Sequence, residues 1–287
     1  MMTGLIVVAD NLGFVEAPRW HDGKLWFSDF YARAVQTVDA DGTVERITYV
    51  PGQPSGLGFA PDGAVMIVSS HDGHILRRVD GATSILADIG SIYRGGLNDM
   101  VVDKLGRCYV SAFHVPPTGP GTSIGAPSPD SVSIPLFRVD QDGSVTIVAD
   151  GLKIPNGMAI SPDGGRLIVA ETYGNRLTAF DIADDGSLSG QRVFADLGSR
   201  RPDGICLDAE GAVWVGSFAT NEYVRVREGG EVMQIIETPG RWAVACALGG
   251  ADGRDLYCAT VELGPDDYVN GRGRGRIERA RVDVPGR

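Results

Sequence analysis

The chain has 287 residues, of which 43% are hydrophobic, so it can bury a full core in one large all-β domain or two smaller ones. Its 26 basic and 37 acidic residues give a net charge of −11, which disfavours binding to nucleic acid and to anionic membranes. The first residues, MMTGLIVVADNLG, contain a short apolar run without a basic flank, so they resemble neither a signal peptide nor a transmembrane span. We therefore expect a cytoplasmic protein with no nucleic-acid or membrane partner.

The predicted elements repeat along the chain. A strand without a partner, Leu5 to Asp10 (LIVVAD), comes first, and six units follow that each contain a small or polar start, an apolar strand, a turn and a second β-rich strand. In chain order they are EAPRWHDGKLWFSDF, PSGLGFAPDGAVMIVSS, LNDMVVDKLGRCYVSAF, PNGMAISPDGGRLIVAET, PDGICLDAEGAVWVGSF and VACALGGADGRDLYCAT.

The spacing of these units indicates the fold. Their matching first positions are 39, 43, 58, 47 and 41 residues apart, which brackets the length of a four-stranded propeller blade. The sixth unit lacks an obvious fourth strand, so the N-terminal strand should close the last blade and remove the exposed sheet edges. We predict an all-β, six-bladed β-propeller with four antiparallel strands per blade, formed by residues 1–287 as a single domain.

The matching first positions should form a ring around one end of the central channel. Asn98 and Asn156 supply carboxamides, and Glu16 and Asp203 supply carboxylates, while Ser55 and Val244 fill the other two places. Carboxylates packed this closely repel one another unless a cation neutralises them. An all-oxygen set suits one divalent cation, with Ca²⁺ favoured and Mg²⁺, Mn²⁺ or Zn²⁺ as alternatives.

Each ring residue also has an ordinary explanation. Asn-Gly and Asp-Gly are common turn dipeptides, so Asn156 or Asp203 alone would indicate only a turn. Glu16 alone could be a solvated carboxylate, and Asn98 could bind a loop backbone. Their occurrence at the same position of four of the six repeats favours a shared site.

Loops between the second and third strands should overhang the ring, because the second strand returns to the face where the first begins. We expect a mixed aromatic and polar rim that suits a small, partly apolar substrate. Blade three carries an insertion there, His114 to Pro135, which is either a tolerated surface loop or a lid. The rim residues are Asp29, Phe30, His71, Phe113, His114, Glu171, Tyr173, Phe218 and Glu262, of which His114, Tyr173 and Phe218 are the candidates for substrate contact.

Other chemistries lack their signatures. The sequence has no G-x-S-x-G elbow, no P-loop and no G-x-G-x-x-G after a strand. The cysteines have no CxxC spacing and lie in apolar runs, so we expect buried thiols. His71 and His74 are expected on the surface, and the basic run GRGRGRIERAR is expected in a solvated outer loop.

The combination of EAPRW, LNDMVVDKLGR, PNGMAISPDG and RPDGICLDAEGAVWVGSF resembles the six-bladed propellers of the regucalcin, gluconolactonase and luciferin-regenerating-enzyme group. The resemblance implies that Glu16, Asn156 and Asp203 bind the metal and that Asn98 contacts the substrate or the metal. It also implies that Asp203 is the general base. One departure concerns the substrate: sugar-lactonase members often carry Arg two residues before Asn98, where this chain has Gly96. Arg94 lies nearby but is shifted along the chain.

These observations predict a metal-dependent hydrolase, most plausibly a lactonase that opens a small cyclic ester by attack of an activated water. Hydrolysis of phosphotriesters or other activated esters could use the same centre. A non-catalytic metal-binding propeller is the alternative from another class, because a fold alone does not establish activity. The expected partner is a small lactone or ester, and the chain should be a monomer or a weak homo-oligomer.

Overall fold

A computed structural model of the chain describes residues 4–114, 133–264, 267 and 270–286. Within these ranges the regular secondary structure consists of 24 β-strands in six antiparallel sheets of four, which is the predicted six-bladed β-propeller. The central part of the proposed lid, residues 115–132, lies outside the described residues. The described part of the chain contains no helix long and apolar enough to cross a bilayer.

The first strand, β1, spans Ile6–Leu12 and belongs to the last blade. The strands of blades one to three follow in chain order, each blade running from the channel outwards. They are β2 (Val15–His21), β3 (Lys24–Asp29), β4 (Ala34–Val38) and β5 (Val44–Tyr49); β6 (Pro54–Phe59), β7 (Val65–Ser69), β8 (His74–Val79) and β9 (Ala82–Asp88); and β10 (Gly96–Val102), β11 (Cys108–Phe113), β12 (Ile134–Val139) and β13 (Val145–Leu152).

Blades four to six complete the ring. Their strands are β14 (Pro155–Ile160), β15 (Arg166–Glu171), β16 (Arg176–Ile182) and β17 (Leu188–Asp196); β18 (Pro202–Leu207), β19 (Val213–Ser217), β20 (Glu222–Val226) and β21 (Val232–Glu237); and β22 (Trp242–Gly249), β23 (Asp255–Glu262) and β24 (Arg274–Arg281).

The ring is closed by strands from both ends of the chain. Strand β1 pairs antiparallel with β24, with Ile6 opposite Arg279, so the sixth sheet has the order β1, β24, β23, β22. Each innermost strand contacts the innermost strands of its two neighbours, and β22 contacts β2. The predicted closure is therefore confirmed.

Burial follows the order of strands within a blade. The innermost strand β6 is buried along almost its whole length, whereas the outermost strand β9 is mostly exposed. This gradient explains why second strands such as β7 are rich in apolar residues, whereas fourth strands such as β5 and β9 carry many polar ones, since the outer strand has a face in water. The repeat was visible in the sequence because the inner strands have the strictest demand for apolar residues.

The hydrophobic core lies between the blades. Six clusters of buried side chains fill the six interfaces between neighbouring sheets among the described residues. At the interface of blades two and three, for example, Met66 packs with Val110 and Phe137. Burial of each such side chain contributes about 1.5–3 kcal/mol, so the strands that line the channel are held firmly from both sides.

Two buried carboxylates in the blades are neutralised by arginine. Asp208 is 1% exposed, accepts hydrogen bonds from the backbone of Glu210 and Ala212, and pairs with Arg225 at 2.6 Å. Glu171 has no exposed surface; it pairs with Arg176 at 2.7 Å and accepts a bond from the Lys153 amide at 2.8 Å. These carboxylates fix turns and strand ends within their blades.

Candidate functional site

Every innermost strand has a register shift at the ring position. The shifts lie between Glu16 and Arg19, and between the corresponding residues of the other five blades. A bulge bends a strand and redirects a side chain, and bulges are common beside functional sites. The ring residues lie in or at the edge of these bulges, where the chain turns them towards the channel.

Glycine follows the ring residue in three blades because the neighbouring strand is very close. A Cβ atom on Gly157 would lie 2.5 Å from the Asp203 carbonyl oxygen, and one on Gly204 would lie 2.3 Å from the Cβ of Ala245. Asn156-Gly157 and Asp203-Gly204 are therefore parts of buried strands and not hairpin turns. The ordinary explanation of these dipeptides as turns is wrong here.

Side-chain contacts connect neighbouring members of the ring. The Ser55 hydroxyl lies 3.5 Å from the Asn98 amide oxygen. Asn156 donates to the Thr172 hydroxyl at 3.3 Å, and it also hydrogen-bonds Asp203. The sixth member, Val244, is fully buried in the apolar cluster between blades six and one. The polar part of the ring thus contains two contacting pairs, Ser55 with Asn98 and Asn156 with Asp203, and the member from blade six is apolar.

The two ring carboxylates are held in an environment that favours their neutral forms. Burial, followed by the charge of Asp99, raises the pKa of Asp203 to about 8, and the hydrogen bond from Asn156 opposes this only in part. Burial and the charges of Asp203 and Asp99 also raise the pKa of Glu16 well above its ordinary value, although backbone bonding at Ala17 and the charge of Arg19 oppose the rise. Among the described residues, neither carboxylate forms an ion pair.

A third carboxylate in the channel, Asp99, was missed by sequence reasoning. It is 6% exposed and pairs with the Arg19 guanidinium at 2.9 Å, which also donates to the Met100 carbonyl oxygen at 2.8 Å. The repeat alignment carried a signal, since Asp99 occupies the place that glycine holds after Ser55, Asn156 and Asp203. Arg19 forms its ion pair with Asp99 and only opposes the rise of the Glu16 pKa, so neither ring carboxylate has an ion pair of its own among the described residues.

The donor set fits a divalent cation. Glu16 and Asp203 provide two carboxylates, and Asn156 and Asn98 provide neutral amide oxygens, which are ligands that hard cations prefer. A bound cation would also offset the burial and mutual repulsion that now favour protonation. The described residues contain no group of three or more His, Cys, Asp or Glu side chains arranged to hold a metal. The carboxamides are therefore essential to any metal site at the ring.

The rim lies where the antiparallel pairing predicts it. The ring end of each first strand pairs with the end of the second, as in Pro155 with Glu171 and Gly96 with Phe113, so the following loops overhang the ring. Two expected rim residues, Asp29 and Glu171, are instead buried at 2% and 0% exposure. Their carboxylates accept backbone hydrogen bonds within the blade, so they stabilise loops and are not available to a substrate.

The three candidates for substrate contact differ in their surroundings. His114 is exposed directly after β11, beside the part of the insertion that is not described. The Tyr173 ring is partly buried, with the Arg201 guanidinium carbon 4.8 Å from its centroid. Phe218 is partly buried against Trp242, with ring centroids 5.2 Å apart. All three follow second strands and lie on the ring face.

The absence of a side chain at position 96 has a steric explanation. A Cβ atom there would lie 2.3 Å from the Cζ atom of Phe113, so the Phe113 ring occupies the space of a side chain at position 96. An arginine at this position would require Phe113 to move. Arg94 is exposed in the loop before β10.

A cavity of about 380 Å³ lies at blade two, and no ring residue is part of its lining. It is lined by polar residues of blade two and of the loop that leads to β10, including His71, His74, Asp88 and Arg94. His71 is exposed, as expected, and His74 lies 3.8 Å from Asp88. The carboxylates whose pKa is raised by burial, Glu16 and Asp203, lie at the ring and not in this cavity.

The cysteines are free thiols. Cys108, Cys246 and Cys258 are buried, as predicted, whereas Cys206 is partly exposed. Its sulfur lies 3.6 Å from that of Cys246.

Comparisons with known proteins extend over most of the chain. The family model described as the SMP-30/Gluconolactonase/LRE-like region matches residues 14–262. A 6-deoxy-6-sulfogluconolactonase of Pseudomonas putida is 26% identical over 281 residues, covering 94% of this chain and 92% of its own length. A pentonolactonase of Haloferax volcanii is 26% identical over 298 residues, covering 100% of this chain and 97% of its own.

Among solved structures, a calcium-binding regucalcin from Agrobacterium tumefaciens superposes with a TM-score of 0.79. It is 23% identical, and the match covers 99% of this chain and 96% of that one. At this identity the likeness supports the fold alone.

Proposed function

The chain belongs to the SMP-30/Gluconolactonase/LRE-like family, and on that premise we propose that it is a divalent-metal-dependent lactonase that opens a small cyclic ester. The observation that carries this proposal is the pair of ring carboxylates, partly buried Glu16 and buried Asp203, whose pKa values are raised and which form no ion pair among the described residues. Two full-length relatives named as lactonases support the reaction class.

In this proposal Glu16, Asn156 and Asp203 hold one divalent cation. The cation, when bound, supplies Lewis acidity that stabilises negative charge on the carbonyl oxygen of the substrate. Ca²⁺ is the favoured ion because all donors are oxygens, and the calcium-binding regucalcin shares the fold. Zn²⁺, Mn²⁺ and Mg²⁺ are alternatives that the add-back experiment below distinguishes.

The side chains divide the remaining work. Asp203 accepts a proton from the attacking water, a role that suits a carboxylate whose basicity is increased by burial. Asn98 positions the substrate and receives support from the Ser55 hydroxyl. His114, Tyr173 and Phe218 contact the substrate from the rim. Thr172 fixes the Asn156 amide, so the carboxamide oxygen is directed consistently.

The proposal also covers the substrate, the oligomeric state and the location of the protein. The substrate is a small-molecule lactone, and the protein works as a monomer or weak homo-oligomer in the cytoplasm, without nucleic acid or membrane. A phosphotriester or another activated ester is the second substrate class for the same centre, because a polarised P=O group would meet the same cation and water.

The test combines activity with metal binding. Metal-stripped protein is assayed against a panel of lactones and a phosphotriester while Ca²⁺, Mg²⁺, Mn²⁺ and Zn²⁺ are added back separately. Equilibrium metal analysis is then repeated on Glu16→Gln, which removes one charge while keeping a similar shape. We expect lactone hydrolysis that requires metal, and clearly weakened metal binding in the variant.

Two results would overturn parts of the proposal. Unchanged metal affinity in Glu16→Gln would show that the ring is not the metal site. Stoichiometric metal binding without turnover of any substrate would favour a non-catalytic metal-binding propeller.

A further inference from the structure

Arg201 occupies a distinctive place on the ring face. The residues two positions before the six ring members are Phe14, Gln53, Gly96, Ile154, Arg201 and Trp242. Each stands at or just before the start of an innermost strand, where the chain enters the channel from the rim. Arg201 is the only member of this set with a charge. In blade three the corresponding space is filled by the Phe113 ring over Gly96.

The side chain of Arg201 stacks on the aromatic ring of Tyr173. Its guanidinium carbon lies 4.8 Å from the centroid of the Tyr173 ring. One residue further in, the Thr172 hydroxyl donates to the Pro202 carbonyl oxygen at 2.7 Å and accepts from the Asn156 amide at 3.3 Å. Arg201 and Tyr173 are therefore each one residue from a hydrogen-bonded bridge that touches the ring itself.

The hydrogen-bonding edge of Arg201 has no carboxylate partner among the described residues. The adjacent Arg200 is different, because it pairs with Glu222 at 2.9 Å. Stacking on an aromatic ring uses the face of a guanidinium and leaves its N–H groups free to donate in the plane. On a chain with a net charge of −11, a partly buried arginine without an acidic partner at the channel entrance requires an explanation.

A second basic residue is connected to this pair through the backbone. The amide of Tyr173 donates to the Lys153 carbonyl oxygen at 3.1 Å. Within the described ranges Lys153 forms no ion pair, and it is partly buried. Lys153 and Arg201 thus lie just before the innermost strands of blades four and five, on either side of Tyr173 in the chain.

We propose that Arg201, supported by Tyr173, binds an anionic substituent of the substrate, so that the preferred lactone carries a carboxylate, sulfonate or phosphate outside its ester ring. The planar guanidinium can donate two parallel hydrogen bonds to such an oxyanion. This inference rests on the proposed function for the lactone, whereas the binding of an anion by Arg201 stands on the geometry alone.

The experiment measures selectivity. The first substrate pair is 5-oxotetrahydrofuran-2-carboxylate and its uncharged carboxamide, and the second is 6-phosphogluconolactone and gluconolactone. For each pair we compare the ratio of kcat/KM, charged over neutral, in the wild type, Arg201→Gln and Arg201→Lys. We expect Arg201→Gln to lower this ratio about 10-fold to 100-fold, mainly through KM, since a hydrogen bond to a charged group contributes about that factor.

Two further variants separate binding from structure. Arg201→Lys keeps the positive charge but cannot donate the two parallel hydrogen bonds of a guanidinium group. This variant should therefore retain part of the preference for the charged substrate. Arg46→Gln removes an exposed arginine from the outermost strand of blade one and is the control for net charge. A purely structural role for Arg201 would lower kcat/KM for both members of a pair equally and leave the ratio unchanged, which would overturn the inference.

A binding measurement keeps the test independent of turnover. Titration calorimetry with tetrahydrofuran-2-carboxylate and its carboxamide, neither of which contains an ester bond, reports affinity directly. We expect the wild type to prefer the carboxylate and Arg201→Gln to lose that preference. Equal binding by both proteins, or no preference in the wild type, contradicts the inference. Absence of hydrolysis of every lactone contradicts the proposed function instead, and the calorimetric result still decides the role of Arg201.

Discussion

Buried carboxylates in the blades and in the channel have opposite surroundings. In the blades, Asp208 is neutralised by Arg225 at 2.6 Å and Glu171 by Arg176 at 2.7 Å. In the channel, Glu16 and Asp203 lie near further negative charge, and burial raises the pKa of both. The chain contains 26 basic residues, and Arg19 reaches the channel, yet it pairs with Asp99.

The difference shows how a stable fold separates structural charges from functional ones. A buried ion pair that is complete within the protein leaves no electrostatic demand for a ligand, and removal of one partner is costly. A buried carboxylate without a partner is a cost to folding that a ligand can offset. We therefore expect substitutions in the blades to alter stability and substitutions in the channel to alter chemistry.

The largest expected effect is on turnover in Asp203→Asn. Asparagine preserves the shape beside Gly204 but removes a basic oxygen, and general-base contributions are about 10²-fold to 10⁴-fold in rate. Lactone hydrolysis at saturating metal should fall by that factor while thermal unfolding remains cooperative. Ser55→Ala, at the same position of blade two, is the matched control and should do far less. Full recovery of Asp203→Asn at high metal would make the residue a ligand only.

The next effect is on stability in Arg225→Met. This change leaves Asp208 buried without its cation and also removes the 2.8 Å contact with Glu210. Loss of one partner of a buried pair costs about 3–5 kcal/mol, which chemical denaturation can measure. A change below about 1 kcal/mol would contradict the distinction between blade and channel carboxylates.

The pH dependence of stability should differ between the two regions. The pKa of Asp203 is raised from 3.8 to about 8 in the folded protein, so between these values the folded state retains a proton that the unfolded state releases. Stability of the metal-free protein should therefore fall as pH rises through this window and level off above it. Each uncompensated pKa unit is about 1.4 kcal/mol, or about 2–4 °C in Tm for a chain of comparable size.

Calorimetric melting of the wild type and Asp203→Asn, from pH 4 to 9, checks this prediction. The variant lacks the titrating group, so its Tm should decline less over the same range. Saturating Ca²⁺ should reduce the decline in the wild type, because the cation stabilises the ionised form. Parallel profiles for the two proteins would show that Asp203 is already charged without metal.

The smallest effect is expected for Arg166→Met. Arg166 and Glu228 form an ion pair at 2.9 Å, but their side chains are 38% and 51% exposed. Exposed pairs contribute about 0–1 kcal/mol, so the free energy of unfolding should change by less than about 1 kcal/mol. Since the substitution matches Arg225→Met in chemistry, the contrast isolates burial as the cause. Equal losses in the two variants would remove that explanation.

The fold could be predicted because it repeats. Inner strands such as β6 and β7 are buried throughout, so their apolar runs recur in every blade and set the spacing. The unpaired strand LIVVAD and the incomplete sixth repeat also indicated closure, which the pairing of β1 with β24 confirms. The inner strands of every blade are packed in the same way, so the same apolar pattern occurs six times and can be recognised in the sequence.

The convergence of the ring positions could be expected from the repeat, because Ser55, Asn98, Asn156 and Asp203 occupy one place in it, whereas the roles of these residues stay predictions. What could not be predicted depends on single contacts between blades. Glu171 and Asp29 are on the correct face but turn into their own blades, where backbone amides bind them. The pairing of Arg19 with Asp99 joins residues 80 positions apart, and no local pattern specifies such a partner.

The joining of both chain ends in one blade has a consequence for the order of synthesis. Ile6 is opposite Arg279, so β1, the first of the described strands to be synthesised, has no partner until β24, the last of them, is available. Until then the sixth blade is incomplete and the ring of sheets is not closed. Non-local pairing of this kind slows folding. A chain synthesised only through Asp203 therefore contains four complete blades and an open ring, because the remaining strands of blades five and six follow that residue.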